Sequence, residues 1–303
     1  MKHLSKNPTP IVPIPYSDKV ELWMKREDLV HEGISGNKFW KLYYNVITYL
    51  ESKPKNPMLI SFGGAFSNHI AALSALGEEL NIPTLGIIRG DELKDSWQQN
   101  PTLKQASERG MQFHFVSREV YRDKESLTVK FRNQFPEALV IPEGGSNELA
   151  VKGIAMMLDE RTKDFDYLCT AVGTGGTVAG LSLFAENHQK ILGFQVVKDN
   201  SVPPKVQEWS SRKNVDFWDA SGRGYAKVTE DLIAFINEFN ETYQIPLEPI
   251  YTGKMMQKIF HLIDEDFFPQ GSRILAFHTG GLQAIEGMNA SLIRKDKRPI
   301  QNQ

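Results

Sequence analysis

Short apolar runs and longer amphipathic stretches alternate along this chain almost from end to end. Val20–Lys25, Met58–Phe62, Thr84–Ile88, Gln112–Val116, Ala138–Ile141, Asp166–Val172, Ile191–Val197 and Arg273–Phe277 read as strands, with Val215–Trp218 as a further candidate. They are short, apolar or alternating, and bounded by glycine, proline or polar clusters. Between them apolar residues recur at helical spacing. Phe39, Leu42, Tyr43, Val46 and Leu50 mark a helix whose first turn holds Lys38, and Ile70, Leu73, Leu76 and Leu80 mark one over Ser67–Leu80. The same spacing predicts helices over Thr102–Arg109, Ser126–Phe135, Asn147–Arg161, Val178–His188, Val228–Tyr243, Lys254–Ile263 and Leu282–Met288. Residues 8–16 carry four prolines and read as an extended arm, because proline is excluded from helix interiors and central strands. Strands separated by helices imply parallel sheets covered on both faces. The units are too many for one small sheet, so an α/β fold of two open parallel-sheet domains is expected, with the active site between them.

Composition narrows the class. Over 303 residues the chain is 41% hydrophobic and 24% charged with a net charge of −2, which is ordinary soluble usage. Such a balance gives no reason to expect nucleic acid or an anionic membrane as partner. The basic run Arg294–Arg298 reads as a solvated tail. A single cysteine, Cys169, sits within an apolar run, which rules out an internal disulfide framework and reads as a buried strand residue. Seven histidines form no metal-ligand spacing, so no metal site is expected. The first residues lack an apolar signal core and no apolar run approaches a bilayer span, which points to a soluble cytoplasmic protein.

Four stretches change the picture. Lys38 follows Ser35-Gly36-Asn37 in the first turn of a helix, where the positive end of the macrodipole disfavours an ammonium and favours the free amine. A free amine is a nucleophile toward aldehydes. Ser61-Phe62-Gly63-Gly64-Ala65-Phe66-Ser67-Asn68-His69 joins a strand to a helix through two glycines, leaving amides, a hydroxyl and a carboxamide for a polar ligand; Ser67 is also a good helix cap. Gly173-Thr174-Gly175-Gly176-Thr177 has the density of small residues that cradles a phosphate. Val178 stands where a dinucleotide fingerprint needs its third glycine, although Asp199 imitates the ribose-binding acid, and no Gly-Lys-Ser/Thr follows to make a Walker loop. The C-terminal loops Tyr251-Thr252-Gly253-Lys254 and His278-Thr279-Gly280-Gly281 each open a helix, and His278 is equally readable as a core histidine.

Taken in order, Lys25-Arg26-Glu27-Asp28-Leu29, Gly36-Asn37-Lys38, Ser67-Asn68-His69, Glu143-Gly144-Gly145-Ser146-Asn147, the Gly173–Thr177 loop and the two C-terminal motifs closely resemble the 1-aminocyclopropane-1-carboxylate deaminase and D-cysteine desulfhydrase family. The resemblance covers nearly the whole chain. It implies a tryptophan-synthase-β-like fold that binds pyridoxal 5′-phosphate between a larger domain, residues 1–43 and 150–303, and a smaller one, residues 44–149. It also implies a homodimer. By resemblance, Lys38 bonds the cofactor aldehyde and then shuttles protons, Gly173, Thr174, Gly175, Gly176 and Thr177 hold the phosphate, Asn68 contacts the ring hydroxyl, and Thr252 meets the ring nitrogen. Ser67, Asn68 and His69 are placed at the substrate, with Tyr251 and Tyr225 over the site. Two positions depart from the pattern: Trp40 and Ile70 stand where family members usually carry arginine.

The resemblance implies a lyase or deaminase acting on a small amino acid, and two reactions compete. β-Elimination from D-cysteine gives pyruvate, ammonia and sulfide; ring opening of 1-aminocyclopropane-1-carboxylate gives 2-oxobutanoate and ammonia. A threonine at position 252, where the ring-opening deaminases use glutamate, makes the cofactor a shallower electron sink and favours elimination of a good leaving group. A nicotinamide-binding oxidoreductase, suggested by the glycine loop and Asp199, and a cofactor-binding protein without turnover, suggested by Trp40, are the alternatives.

Overall fold

The computed structural model describes residues 5, 8–222, 224 and 227–301. In chain order the elements are β1 (Ile11–Pro13), β2 (Glu21–Lys25), α1 (Asn37–Glu51), β3 (Leu59–Gly63), α2 (Asn68–Leu80), β4 (Thr84–Arg89), α3 (Pro101–Glu108) and β5 (Gln112–Val116). Next come α4 (Lys124–Gln134), β6 (Leu139–Ile141), α5 (Glu148–Ile154), β7 (Tyr167–Val172), α6 (Gly176–Phe184), β8 (Lys190–Gln195), α7 (Val202–Ser210) and β9 (Val215–Asp219). The chain continues through α8 (Glu230–Tyr243), α9 (Thr252–Asp264), β10 (Arg273–Phe277) and α10 (Ala284–Ile293).

These strands sort into two sheets. The order β1-β2-β10-β7-β8-β9 makes a six-stranded sheet, parallel except for the antiparallel β1, and β5-β4-β3-β6 makes a four-stranded sheet that is parallel throughout. The expected α/β class with two open parallel sheets is therefore what the chain builds. A continuous core joins them. Phe39, Trp40, Leu42 and Val46 of α1 belong to one buried cluster with Leu59 and Ile70 on the small-sheet side and Leu168 and Val172 on the large-sheet side. Two further clusters cover the outer faces, one under α8, α9 and α10 and one under α4. Helix α1 is thus the joint between the sheets.

Local departures from the expected elements have physical causes. The proline-rich arm supplies β1, which pairs with β2 as an outer strand; edge strands tolerate a residue that cannot donate to the ladder. Helix α7 was not among the expected elements; Pro203 and Pro204 both fall in its first turn, where the missing amide is no loss. Residues 147–161 do not form one helix. The α5 helix stops at Ile154, Leu158 is extended, and Asp159 caps a new turn while its carboxylate takes the buried Lys25 ammonium at 3.1 Å.

That ion pair anchors a network beneath α1. Lys25 also lies 3.5 Å from the fully buried Glu27, whose other contacts are the Thr9 hydroxyl at 2.7 Å and the Trp40 indole N–H at 2.6 Å. Burial pushes the Glu27 carboxyl up while Lys25 and these donors hold it down. Arg26 makes a two-pronged pair with Asp28 at 2.9 and 2.7 Å. The Lys-Arg-Glu-Asp motif is therefore architectural. Trp40 fills the core and donates to Glu27, and Ile70 is wholly buried, so both departures from the family pattern concern packing behind the site.

Helices α1 and α5 cross so closely that a Cβ on Gly153 would stand 2.0 Å from the Trp40 carbonyl oxygen. Gly153→Ala is expected to destabilise the fold by about 1–3 kcal/mol, since overpacking forces backbone shifts. Urea unfolding followed by circular dichroism measures it; a midpoint equal to that of the unaltered protein contradicts this packing.

Candidate active site

Parallel strands present the loops at their carboxyl ends to one crevice, and there the two sheets face each other. A cavity of about 440 Å³ opens between them. Its wall comes from the end of β4, from the turns after β3, β5, β6, β7 and β8, from the first turn of α1, and from the loops before α9 and after β10.

Lys38 reaches this cavity because the chain before it turns sharply. Gly36 sits at φ +68°, and a Cβ there would overlap the Thr279 carbonyl oxygen at 1.9 Å, so only glycine lets the loop after β10 close against α1. Asn37 then does two things. Its side-chain oxygen accepts from Lys38 Nζ at 2.9 Å, and its amide nitrogen donates to Thr177 Oγ1 of the glycine loop at 2.7 Å. Burial lowers the Lys38 pKa to about 8, against a smaller upward pull from Glu248. One helical step on, the buried Lys41 points into the same cavity and donates to Ser146 Oγ at 2.8 Å and the Gly144 carbonyl at 3.2 Å. Burial and the neighbouring Lys38 hold its amine well below the ordinary lysine range. Ser146 and Thr174 hydroxyls lie 2.5 Å apart, which ties Lys41 to the glycine loop.

The glycine loop opens α6, whose first-turn amides lack intrahelical acceptors. Gly173, Thr174, Gly175 and Thr177 line the cavity, whereas Gly176 lies behind the wall, where a Cβ would meet Ser146 Oγ at 2.7 Å. An anion fits this arrangement: free amides at a helix start, threonine hydroxyls and the Lys41 amine converge on one corner. At the opposite corner Ser67 caps α2, accepting from the Ile70 amide at 3.3 Å, and lines the cavity with Asn68 and His69. Capping and cavity wall are both roles of Ser67. Asn68 is held by Gln283, which donates to its oxygen at 2.6 Å. His69 is buried, and its Nε2 lies 2.8 Å from Ser61 Oγ. That hydroxyl donates to the Ile141 carbonyl at 2.8 Å, so Nε2 carries the imidazole proton and Nδ1 is left, among the described residues, as a buried acceptor without a partner. Burial and the two lysines push the imidazole well below its usual pKa, keeping it neutral.

Tyr251 lines the cavity, its ring over Gly173: a Cβ there would be 3.2 Å from the ring edge. Thr252 does not line it. Its side chain is fully buried at the start of α9, with Oγ1 3.2 Å from both the Glu248 amide and Glu248 Oε1. Glu248 had not been singled out in the sequence. It is fully buried and accepts from the amides of Ile250, Tyr251 and Thr252 at 2.7, 2.7 and 2.6 Å, while burial raises its pKa to about 7. Tyr225 lies outside the described residues. His278 is a satisfied core histidine, bonded to the Pro246 carbonyl at 2.8 Å and to the Gly280 amide at 3.2 Å.

Sequence reasoning had also passed over Lys41, Arg89 and Arg118 and given Glu143 no role, and all four line the cavity. Lys41 was findable, since it shares a helical face with Lys38. The arginines and Glu143 had no signal, because each simply follows a strand. Among the described residues no cluster of three or more histidine, cysteine, aspartate or glutamate side chains could hold a metal ion, and no helix is long and apolar enough to cross a membrane.

Comparison with known proteins agrees with this geometry. Residues 3–280 match the model of a family described as pyridoxal-phosphate dependent enzyme. A bifunctional D-cysteine desulfhydrase/1-aminocyclopropane-1-carboxylate deaminase of Arabidopsis thaliana is 30% identical over 88% of this chain and 73% of its own length. A D-cysteine desulfhydrase of Klebsiella pneumoniae is 25% identical over 92% of this chain and 93% of its own. A 1-aminocyclopropane-1-carboxylate deaminase of Rhizobium radiobacter is 26% identical over 88% and 89%. In fold, the crystal structure of an ACC deaminase homologue superposes with a TM-score of 0.79 over 93% of this chain and 91% of that one, at 24% identity.

The depressed amine of Lys38 makes a prediction that needs no ligand. Peptide-resolved acetylation of the apoprotein should follow a titration with midpoint near pH 8, falling about tenfold per pH unit below it as the ammonium takes over. A midpoint near that of exposed lysines, about 10.4, contradicts the burial of the amine.

Proposed function

The chain belongs to the pyridoxal-phosphate dependent enzyme family, and from that premise we propose that it is a lyase or deaminase of a small amino acid, acting by β-elimination on D-cysteine or a related β-substituted amino acid and releasing pyruvate and ammonia, with sulfide in the case of D-cysteine. The nicotinamide alternative gives way to the family match. The observation that carries the reading is the Lys38 amine, its pKa near 8, held by Asn37 beside a glycine loop built for a phosphate. When bound, pyridoxal phosphate supplies the electron sink that weakens bonds at the substrate α-carbon.

The chain's own residues do the rest. Lys41 Nζ, first-turn amides of α6 and the hydroxyls of Thr174 and Thr177 hold the phosphate; Gly176 lets Ser146 approach and position Lys41. Asn68, braced by Gln283, orients the ring, and Tyr251 covers it. First-turn amides of α2 with Ser67 take the substrate carboxylate, and His69, kept neutral by burial, lines the wall beside them. Lys38 Nζ, about one-tenth free amine at pH 7 where an ordinary lysine is almost wholly protonated, takes and returns a proton at the α-carbon. In this reading residues 44–149 act as the smaller unit closing on the larger, and the enzyme works as a cytoplasmic homodimer.

Thr252 decides between the two reactions. Its hydroxyl lies buried behind the cavity wall, fixed by Glu248, and would be the neutral group met by the ring nitrogen where a carboxylate would otherwise stand. A hydroxyl leaves the ring nitrogen unprotonated, which suits loss of a thiol better than opening of a cyclopropane.

Two outcomes test this reading. Pyruvate from D-cysteine should form with a higher kcat/KM than 2-oxobutanoate from 1-aminocyclopropane-1-carboxylate; the reverse order refutes the branch assignment. Lys41→Met should weaken cofactor affinity about tenfold or more, as loss of a charge-assisted bond to phosphate does. The apoprotein should keep or gain thermal stability, because a buried amine is costly until an anion arrives. Unchanged affinity by equilibrium titration of apoprotein removes Lys41 from the phosphate site.

A further inference from the structure

Acidic and basic side chains crowd the rim of the cavity on its small-sheet side, and all but one of the basic ones there are committed. Arg118 pairs with Glu92 at 2.5 Å. Lys124 pairs with Glu143 at 3.1 Å, and Glu143 also takes the Tyr121 hydroxyl at 2.8 Å. Across the cavity, on the large-sheet side after β8, Asp199 is occupied by the amide and hydroxyl of Ser201, at 2.9 and 2.6 Å. Arg89 is different. It ends β4, is half-buried and lines the cavity, and its side chain makes neither an ion pair nor a hydrogen bond among the described residues. Its guanidinium rests 5.7 Å from the centre of the Tyr121 ring. The acid whose charge it feels, Glu92, already belongs to Arg118.

The position of Arg89 says what it is for. A Cβ on Gly64 would stand 3.4 Å from Arg89 Nη2, so the guanidinium lies over the glycine turn that leads into Ser67 and α2. It is a neighbour of the corner assigned above to the substrate carboxylate, and lies on the rim. A guanidinium keeps its charge at all working pH values, and its planar fork matches carboxylate or phosphate oxygens in pairs. Leaving such a group partly desolvated without a partner costs free energy that a bound anion returns.

Building on the proposed amino-acid lyase reading, we propose that this cavity takes an amino acid bearing a second, distal anionic group, and that Arg89 reads that group. The α-carboxylate goes to the start of α2, and the distal carboxylate or phosphate goes to the guanidinium. Both ends of the substrate are then fixed, which sets the α-carbon against Lys38. A plain thiol such as D-cysteine is accepted but leaves Arg89 unused.

Equilibrium titration of the holoenzyme, followed by the cofactor's absorbance, tests this with D- and L-aspartate as carboxylate probes, O-phosphoserine as the phosphate probe, and alanine and serine as neutral references. At least one dianionic amino acid should bind about tenfold or more tightly than alanine, the gain of one charge-assisted pair. Arg89→Gln should shrink that ratio to within about threefold, and Arg89→Lys should restore part of it. Aspartate against phosphoserine tells which distal group is preferred. Equal binding of neutral and dianionic ligands by the unaltered enzyme overturns the proposal. So does an Arg89→Gln variant that keeps the ratio while weakening every ligand alike, because the arginine then serves the α-carboxylate or the fold. A purified protein that takes up no pyridoxal phosphate overturns the underlying reading instead, whereas cofactor uptake without anion preference overturns only the assignment of Arg89.

Discussion

Two amines, the half-buried Lys38 and the buried Lys41, meet in the cavity on one face of α1, and the rest of the molecule follows from the need to put them there. Neither would tolerate such a place as a charged group without an anion beside it. Helix α1 is the element shared by the cores of both sheets, so its first turn is the natural floor of the crevice between them. Gly36 lets the loop after β10 close on that turn, Asn37 ties Lys38 to Thr177, and Ser146 ties Lys41 to Thr174. Each lysine thereby has its own short bridge to the glycine loop. An aldehyde and a phosphate on one small molecule satisfy both.

Much of this was legible in the sequence. Parallel-sheet α/β units show themselves because buried strands are continuous apolar runs, while helices keep a polar face. The glycine loop, Lys38 and the Ser67-Asn68-His69 turn were visible since each sits where a strand gives way to a helix. Less visible was anything depending on which strands become neighbours. Glu248 precedes a proline and looks like a surface acid, yet it is wholly buried as the acceptor for three successive amides. Arg89 follows an apolar strand as many arginines do, and only the approach of the glycine turn at Gly64 gives it a role. Trp40 taught the opposite lesson. A departure from the family pattern near the key lysine suggested a cofactor-binding protein without turnover, but two residues along a helix turn a side chain about 200° away, and Trp40 faces the Glu27 network in the core.

The arrangement also separates binding from chemistry. Anion-holding groups occupy two corners, at the start of α6 and the start of α2, and Lys38 lies between them with its amine near neutrality. Behind the wall, Glu248 and Thr252 form a dry, fully satisfied pair that holds the start of α9. Charges that face the cavity are therefore set by elements buried behind it, and small changes there alter reactivity without touching a ligand.

The central claim is that Lys38, and not its neighbour Lys41, carries pyridoxal phosphate. Borohydride reduction of the holoenzyme, digestion and tandem mass spectrometry of the peptide containing both lysines tests it directly. The account predicts the reduced pyridoxyl label on Lys38 with Lys41 unmodified; a label on Lys41, or on any other lysine, would contradict it.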